Sequence, residues 1–420
     1  MQSLFVTKKI YMMKKLFPSI LVVVLLFGGF FNALAETTID GEANAFNPIT
    51  SGVPFLSIAP DARGGGMGDV GAATTPDATS SYWNPAKYAF ISGAGGASLS
   101  YTPWLRKLVK DIDLAYLSGF YKIGDVQAVA MSMRYFSLGE VIIRKDETSP
   151  AMTAKPYDVA VDATYSRILA ENFSMGVSLR FIYSDLLGGA ATEDAETLSP
   201  GKAVAADISA YYGAPVTLSS GEGFAAAGLN ISNIGSKISY GDDENTAFLP
   251  TNLRLGGSFT YPFDPYNKIS VNLDLNKLLV PSRPVAPTQG DDESDADYAL
   301  RVSDYESSLS DYNNGDPISG IFTSFSDAPG GFSEELQEIM WSLGLEYAYN
   351  NQFFARGGYF HESENKGNRK YFTLGAGFKL NVLSLDVAYV ISVAQTNPLD
   401  QTLRFSLAFT LDGIKQMIGE

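Results

Sequence analysis

Few residues of this chain have the type and spacing for covalent chemistry. It contains one histidine, His361, and no cysteine among 420 residues. Thiolate nucleophiles, thiolate and multi-histidine metal centres, disulfides and a lipidated N-terminal cysteine are thereby excluded, and a catalytic triad has a single candidate base. No serine stands in a nucleophile-elbow pattern. Gly66-Met67-Gly68-Asp69-Val70-Gly71 satisfies G-x-G-x-x-G, yet that pattern cradles a pyrophosphate only between a strand and a helix of a parallel βαβ unit. The flanks Ala59-Pro60-Asp61-Ala62-Arg63 and Thr74-Thr75-Pro76-Asp77 supply neither. These glycines are expected instead to let the backbone turn tightly in a narrow space. Residues 291–297, with Asp291, Asp292 and Asp295, offer carboxylates to a hard cation. They lack the glycine and closing glutamate of a calcium loop and read as a solvated acidic loop. The expectation is a protein that is not an enzyme and carries no metal or cofactor.

Acidic residues outnumber basic ones by 46 to 30, which speaks against a nucleic-acid binder, since phosphate contacts need clustered lysine and arginine. Many of the other charges fall in segments of strict alternation. In 402–412, Leu403, Phe405, Leu407, Phe409 and Leu411 alternate with Thr402, Arg404, Ser406, Ala408, Thr410 and Asp412. Successive side chains of a strand point to opposite faces, so one face is apolar and the other polar. The same pattern runs through 383–393, 269–276 and 173–184. Weaker forms occupy 95–102, 112–123, 126–136, 157–168, 203–213, 223–233, 251–262, 338–349, 352–361 and 370–380. That makes about fourteen strands, an even number as bacterial single-chain barrels require. After the first 35 residues no apolar run is long enough for a spanning helix. The predicted fold is all-β, a transmembrane antiparallel β-barrel.

The connections alternate in length. Short ones rich in Gly, Asn, Asp and Pro fall at 124–125, 169–171, 262–266, 350–351 and 381, with a slightly longer one at 214–222. Long ones fall at 103–111, 137–156, 185–202, 234–250, 279–337, 362–369 and 394–401, the asymmetry of periplasmic turns and outer loops. Asp113, Arg134, Asp162, Arg180, Asp207, Arg254, Asp274, Glu346, Arg356, Asp386 and Arg404 are assigned to the inward faces. They are expected to pair with one another or with a plug, filling the lumen in preference to lining a conducting path. Lys8-Lys9, Lys14-Lys15, an apolar stretch over 16–31 and Ala33-Leu34-Ala35 form the order of a secretory signal. The expected organisation is a signal peptide at 1–35, an N-terminal hatch or plug at 36–93, the barrel at 94–412 and a short tail at 413–420. The loop 279–337 is long enough to be functional by length alone. Trp104, beside Leu105 and Leu108 on the first outer loop, is expected to anchor at the membrane interface.

Residues 55–90 read FLSIAPDARGGGMGDVGAATTPDATSSYWNPAKYAF. In the Ser57-Ile58-Ala59-Pro60-Asp61-Ala62-Arg63 entry, the Gly66-Met67-Gly68-Asp69 turn and the Trp83-Asn84-Pro85-Ala86-Lys87-Tyr88 ending, the chain resembles the PorV family. Members of that family are outer-membrane components of the type IX secretion system of Bacteroidetes. The Asn84-Pro85-Ala86 triplet is shared with the wider group of FadL-like transporters, which have an N-terminal hatch and about fourteen strands. Lys87-Tyr88, where the transporters tend to have a glycine, favours the PorV branch.

The resemblance implies that Asp61, Arg63, Gly66, Met67, Gly68, Asp69, Trp83, Asn84 and Pro85 are hatch residues of a FadL-like barrel. It also implies a protein that binds cargo proteins bearing a C-terminal signal domain, received from the type IX translocon barrel protein, and delivers them to a sortase-like attachment complex at the cell surface. Outer-membrane lipid would surround it, and no nucleic acid would be bound. Trp104, Asp291, Asp292, Asp295, Tyr298, Tyr305, Phe322 and Phe325 are the candidate partner contacts on the outer loops. The alternative function is transport of hydrophobic small molecules across the outer membrane. One departure from many outer-membrane barrels is that Phe409 is followed by eleven residues ending Gly-Glu.

Overall fold

Each alternating segment has one face that suits lipid and a backbone that does not, and only lateral pairing removes its N–H and C=O groups from hydrocarbon. The computed structural model describes residues 46–106, 109–144, 151–188, 199–219, 221–241, 246–290, 293–393 and 399–418. Fourteen strands close into an antiparallel barrel: β1 Gly95–Pro103, β2 Asp113–Ile123, β3 Gln127–Ser137, β4 Tyr157–Ala170, β5 Phe173–Asp185, β6 Gly201–Leu218 and β7 Gly221–Gly235, followed by β8 Asn252–Pro262, β9 Asn267–Leu278, β10 Met340–Tyr349, β11 Phe353–His361, β12 Lys370–Lys379, β13 Leu383–Ser392 and β14 Leu403–Thr410. Each pairs with its neighbours in sequence. The sheet closes where β1 meets β14, from Gly96 opposite Thr410 to Tyr101 opposite Phe405.

Burial along the strands is inverted relative to a soluble protein. On β14, Leu403, Phe405 and Phe409 are 39%, 40% and 41% exposed, whereas Arg404 and Ser406 between them are 2% and 5% exposed. Val177, Leu179 and Phe181 of β5 are exposed in the same way around buried Ser178 and Arg180. Such a surface is stable only against lipid, and the charged side chains must find partners in the lumen. Among the described residues no helix is long and apolar enough to cross a membrane, so the strands are the crossing elements.

Four expectations need correction. Residues 214–222 are not a connecting turn: β6 runs to Leu218 and β7 starts at Gly221, with Pro215 opposite Phe224. Pro215 reads locally as a breaker, but here it lies beyond the pairing of β5, which ends at Tyr212. The missing N–H therefore faces no third strand. The last strand stops at Thr410, and Leu411–Ile418 forms helix α6, tied to the start of the barrel by Asp412, whose carboxylate accepts the Ala94 N–H at 2.9 Å. Asp113 lies on the outward parity of β2, where it accepts from the outward Tyr101 hydroxyl at 2.6 Å. The acidic run is not wholly a loop, since Asp295 and Asp297 open a helix, Asp295–Asn314, behind the Ser294 cap. Carboxylates in a first helical turn are favoured by the helix dipole. The expected signal peptide at 1–35, hatch residues 36–45, Leu108, Asp291 and Asp292 lie outside the described residues.

Candidate functional site

Residues 54–90 contain only helical pieces of one or two turns: a 3-10 turn Pro54–Ser57, α1 Ala62–Gly65, α2 Ser80–Trp83 and a second 3-10 turn Pro85–Phe90. Segments this short do not hold themselves, and their backbone groups bond to strands from all sides of the barrel. The Ala62 N–H donates to Ser406 of β14, Gly68 to Thr373 of β12, and Gly71 and Ala72 to one carboxylate oxygen of Asp274 on β9, at 2.8–3.0 Å. Ala86 donates to Ser209 of β6 and accepts from Ser174 of β5. Asn230 of β7 donates to the Trp83 carbonyl, and Arg134 of β3 to that of Leu56. A chain bonded to walls this far apart crosses the lumen.

Glycine makes the seat. Gly68 has φ +74°, which a β-carbon would strain. The indole of Trp83 lies between Gly64 and Gly71, where an added Cβ would come within 2.4 and 2.1 Å of the ring. The wall is cut back in the same way. Inward-facing Gly344, Gly358 and Gly375, on β10 to β12, lie under Gly66, Met67 and Gly68, while Gly228 and Gly256 lie under Ala72. Because Gly68 spends its N–H on Thr373, and Gly71 and Ala72 spend theirs on Asp274, the glycine turn is a docking surface for the wall.

The family-motif residues come together inside this arrangement. Asp61 caps α1 by accepting the Gly64 N–H at 2.8 Å and takes the Trp83 indole N–H at 2.5 Å. Arg63 joins Asp77 at 2.8 Å to Glu346 of β10 at 3.2 Å, and Glu346 is shared with Arg356, which reaches Asp386 at 2.6 Å. Asp69 pairs with Arg404 and accepts from the Tyr371 hydroxyl at 2.5 Å. Asn84 caps the second 3-10 turn and donates to the carbonyls of Ala72 and Ala210, both at 2.9 Å; Pro85 begins that turn. Buried Lys87 donates to the Gly71 carbonyl and to Thr74. Arg180 pairs with Asp162 and Asp207. Removing one partner of such a buried pair typically costs about 3–5 kcal/mol because the other charge is stranded.

At the outer mouth, the long loop is tied to the barrel by a second buried network. Its helices are α3 Asp295–Asn314, α4 Pro317–Thr323 and α5 Phe332–Gln337. Lys277, at the end of β9, contacts Glu335 at 2.9 Å and Glu338 at 2.5 Å. Lys366, between β11 and β12, contacts Glu334 and Glu338. Of the outer-loop candidates, Phe322 is 72% exposed and Phe325 49%, Tyr298 and Tyr305 are half-buried on α3, and Asp295 is exposed. Trp104 is not a free interfacial anchor: it is half-buried against the cluster of Phe55, Leu114 and Phe136, which offers its ring an apolar bed.

Burial pushes the Asp327 carboxyl up from 3.8 to about 6, with Glu335 and Glu338 adding to the rise and the Ser282 N–H opposing it. A raised acid favours the folded arrangement when protonated, so its contribution is complete below its ordinary value and is lost as pH rises through about 6. Amide exchange of residues 279–339, measured relative to the Asp327→Asn variant, is expected to accelerate in the native chain between about pH 5 and 7.5. Parallel pH trends in the two proteins would refute this assignment.

Comparison with known proteins decides the family. The family model described as type IX secretion system protein PorV matches residues 41–285. The chain belongs to the PorV family. It is thus an outer-membrane β-barrel component of the type IX secretion system. Among curated proteins, none matches this sequence. Solved structures similar to it include the toluene transporter TodX of Pseudomonas putida, at 9% identity over 87% of this chain and 99% of that one, with a TM-score of 0.49. A TodX deltaS2S3 mutant monoaromatic hydrocarbon channel is similar at 11% identity over 83% and 98%, with a TM-score of 0.48. A Pseudomonas aeruginosa FadL homologue is similar at 11% identity over 87% and 100%, with a TM-score of 0.38.

The PorV match spans the lumen segment and the barrel through β9. Sequence reasoning missed the wall glycines, Lys277 with Lys366, and the Glu334-Glu335 pair. The glycines had a usable signal, since Gly344, Gly358 and Gly375 sit in register with the polar residues of their strands. The lysines had none. His361 stacks on Trp341, with ring centroids 5.1 Å apart.

Proposed function

We propose that this barrel binds secreted cargo bearing a C-terminal signal domain, receives it from the type IX translocon barrel protein and delivers it to the sortase-like attachment complex. In this reading residues 36–93 are a permanent plug and the outer loops are the working surface. The observation that carries it is the long loop's construction: its base is held by Lys277 and Lys366, while Ile318, Phe322 and Phe325 stand exposed. Exposed apolar side chains on an ordered loop are typical of interaction surfaces. Surrounding lipid contacts the strands, and no catalytic step is assigned to the protein.

Transport of hydrophobic molecules is the other reading, and it calls for an apolar pocket beside the plug. An outer cavity beside the plug is bordered by Arg134, Arg180 and Arg254, and an inner one by Arg63, Glu346, Arg356 and Asp386 together with Phe120, Phe354, Phe378 and Phe409. Deleting the gene separates the two functions. Proteins with the C-terminal signal are expected to lose surface attachment while uptake of a lipophilic compound is unchanged. Surface-attached, modified cargo together with failed uptake would make the protein a transporter.

A further inference from the structure

The outer cavity holds about 210 Å³ and is bordered by four arginines, Arg134, Arg180, Arg254 and Arg369, and by a single carboxylate, Asp69. Their pairings are uneven. Arg180 has Asp162 and Asp207, Arg369 has Glu362, and Asp69 is taken by Arg404. Arg134 comes only within 4.0 Å of Asp162, which Arg180 and Ser132 already occupy, and its Nε is buried without a partner. Among the described residues, Arg254 has no carboxylate within ion-pair distance. Its Nε donates to Asn276 at 2.8 Å, and its buried Nη1 has no partner. Asp274, two residues from Asn276 on the same strand, spends one oxygen on the Gly71 and Ala72 amides, and its other oxygen, buried without a hydrogen-bond partner, acts on Arg254 only through space.

Aromatic faces supplement these weak pairings. The Arg254 guanidinium lies 4.5 Å from the Trp83 ring centroid and 5.2 Å from that of Tyr82, and Arg134 lies 5.3 Å from the same Tyr82 ring. Two guanidinium groups thus share one ring at the wall of a cavity. Ring faces attract a cation but leave its planar N–H donors without acceptors. An oxyanion supplies them, because carboxylate and phosphate oxygens match the guanidinium fork.

We propose that this cavity binds a small oxyanion, a carboxylate or a phosphate, between Arg254 and Arg134 above Tyr82. The site is independent of cargo handling. It is tested on the full chain purified in nonionic detergent, by following tryptophan fluorescence during titration with inorganic phosphate or with hexanoate at constant ionic strength. Saturable binding of one anion per barrel is expected. Arg254→Gln is expected to weaken it roughly ten- to hundredfold, the scale of one charge-assisted hydrogen-bonded contact. Arg254→Lys, which keeps the charge but loses the planar fork, is expected to weaken it less than Arg254→Gln, and Lys379→Gln, beside the inner cavity, leaves it unchanged. Heat-modifiable mobility checks that each variant is folded. Tighter binding of phosphate identifies a free anion as the natural ligand type, and tighter binding of hexanoate identifies a carboxylate with an apolar tail. No saturation by either probe, or equal affinity in a folded Arg254→Gln variant, overturns the proposal.

Discussion

Replacing Gly358 by valine is expected to unseat the lumen segment and raise the ion conductance of the barrel. A Cβ at Gly358 would lie 2.1 Å from the Met67 carbonyl carbon and 2.2 Å from the Gly68 nitrogen. Both are backbone atoms, so no side-chain rotation relieves the overlap, and close-packed interiors do not absorb such a volume. The strand cannot retreat either, because β11 is laddered on both sides, with Gly358 opposite Gly344 and Thr373. The segment must give way. In doing so it loses the Gly68 bond to Thr373 and draws Asp69 from Arg404, and stranding a buried charge costs about 3–5 kcal/mol. The expected results are faster proteolysis within residues 54–90 and a larger single-channel conductance in planar bilayers. Gly257→Val is the control: Gly257 faces outward on β8 and an added Cβ there meets nothing within 4 Å. A Gly358→Val protein as protease-resistant and as closed as the control would show that the glycine seat does not hold the segment.

Removing residues 285–326 and joining the ends with a short Gly-Ser linker is expected to leave a folded, heat-modifiable barrel that no longer retains its partners. The cut takes α3, α4, Phe322 and Phe325 but spares Asp327 and the α5 glutamates. The ties from Glu334, Glu335 and Glu338 to Lys277 and Lys366 therefore remain. The barrel's own pairing is untouched, since β9 and β10 are laddered to each other from Asn267 opposite Tyr349 to Asn276 opposite Met340. If the aromatic residues of the loop carry the interface, losing them should lower the recovery of translocon and cargo in pull-downs by about tenfold or more, as loss of a hot spot does. Unchanged recovery of both partners from the shortened barrel would move the working surface elsewhere.

Legibility of the sequence followed the range of each signal. Alternation in β5, β9, β13 and β14 is a property of adjacent residues, and it survives because lipid on one side and a wet lumen on the other reward every second side chain. The link at 214–222 and the acidic run failed for the same reason that local signals fail in general: their outcome depends on what lies beside them. Proline is tolerated where no third strand demands its N–H, and Asp295 and Asp297 are welcome at a helix start. Trp104 has the composition of an interfacial anchor, but a bed of Phe55, Leu114 and Phe136 was available to it.

By itself, then, the sequence determined an even-stranded barrel with short turns at one end and long loops at the other, and the segment 55–90 carried the family motif. Both are local patterns. Only the tertiary structure decided that Asp69 pairs with Arg404, 335 positions away, that Met67 lies over Gly358, and that Arg254 rests on Trp83 and Tyr82. Those contacts follow from barrel closure and register, which bring residues from opposite ends of the chain to one level of the lumen. A one-residue slip of β8 or β14 would turn Arg254 or Arg404 toward lipid.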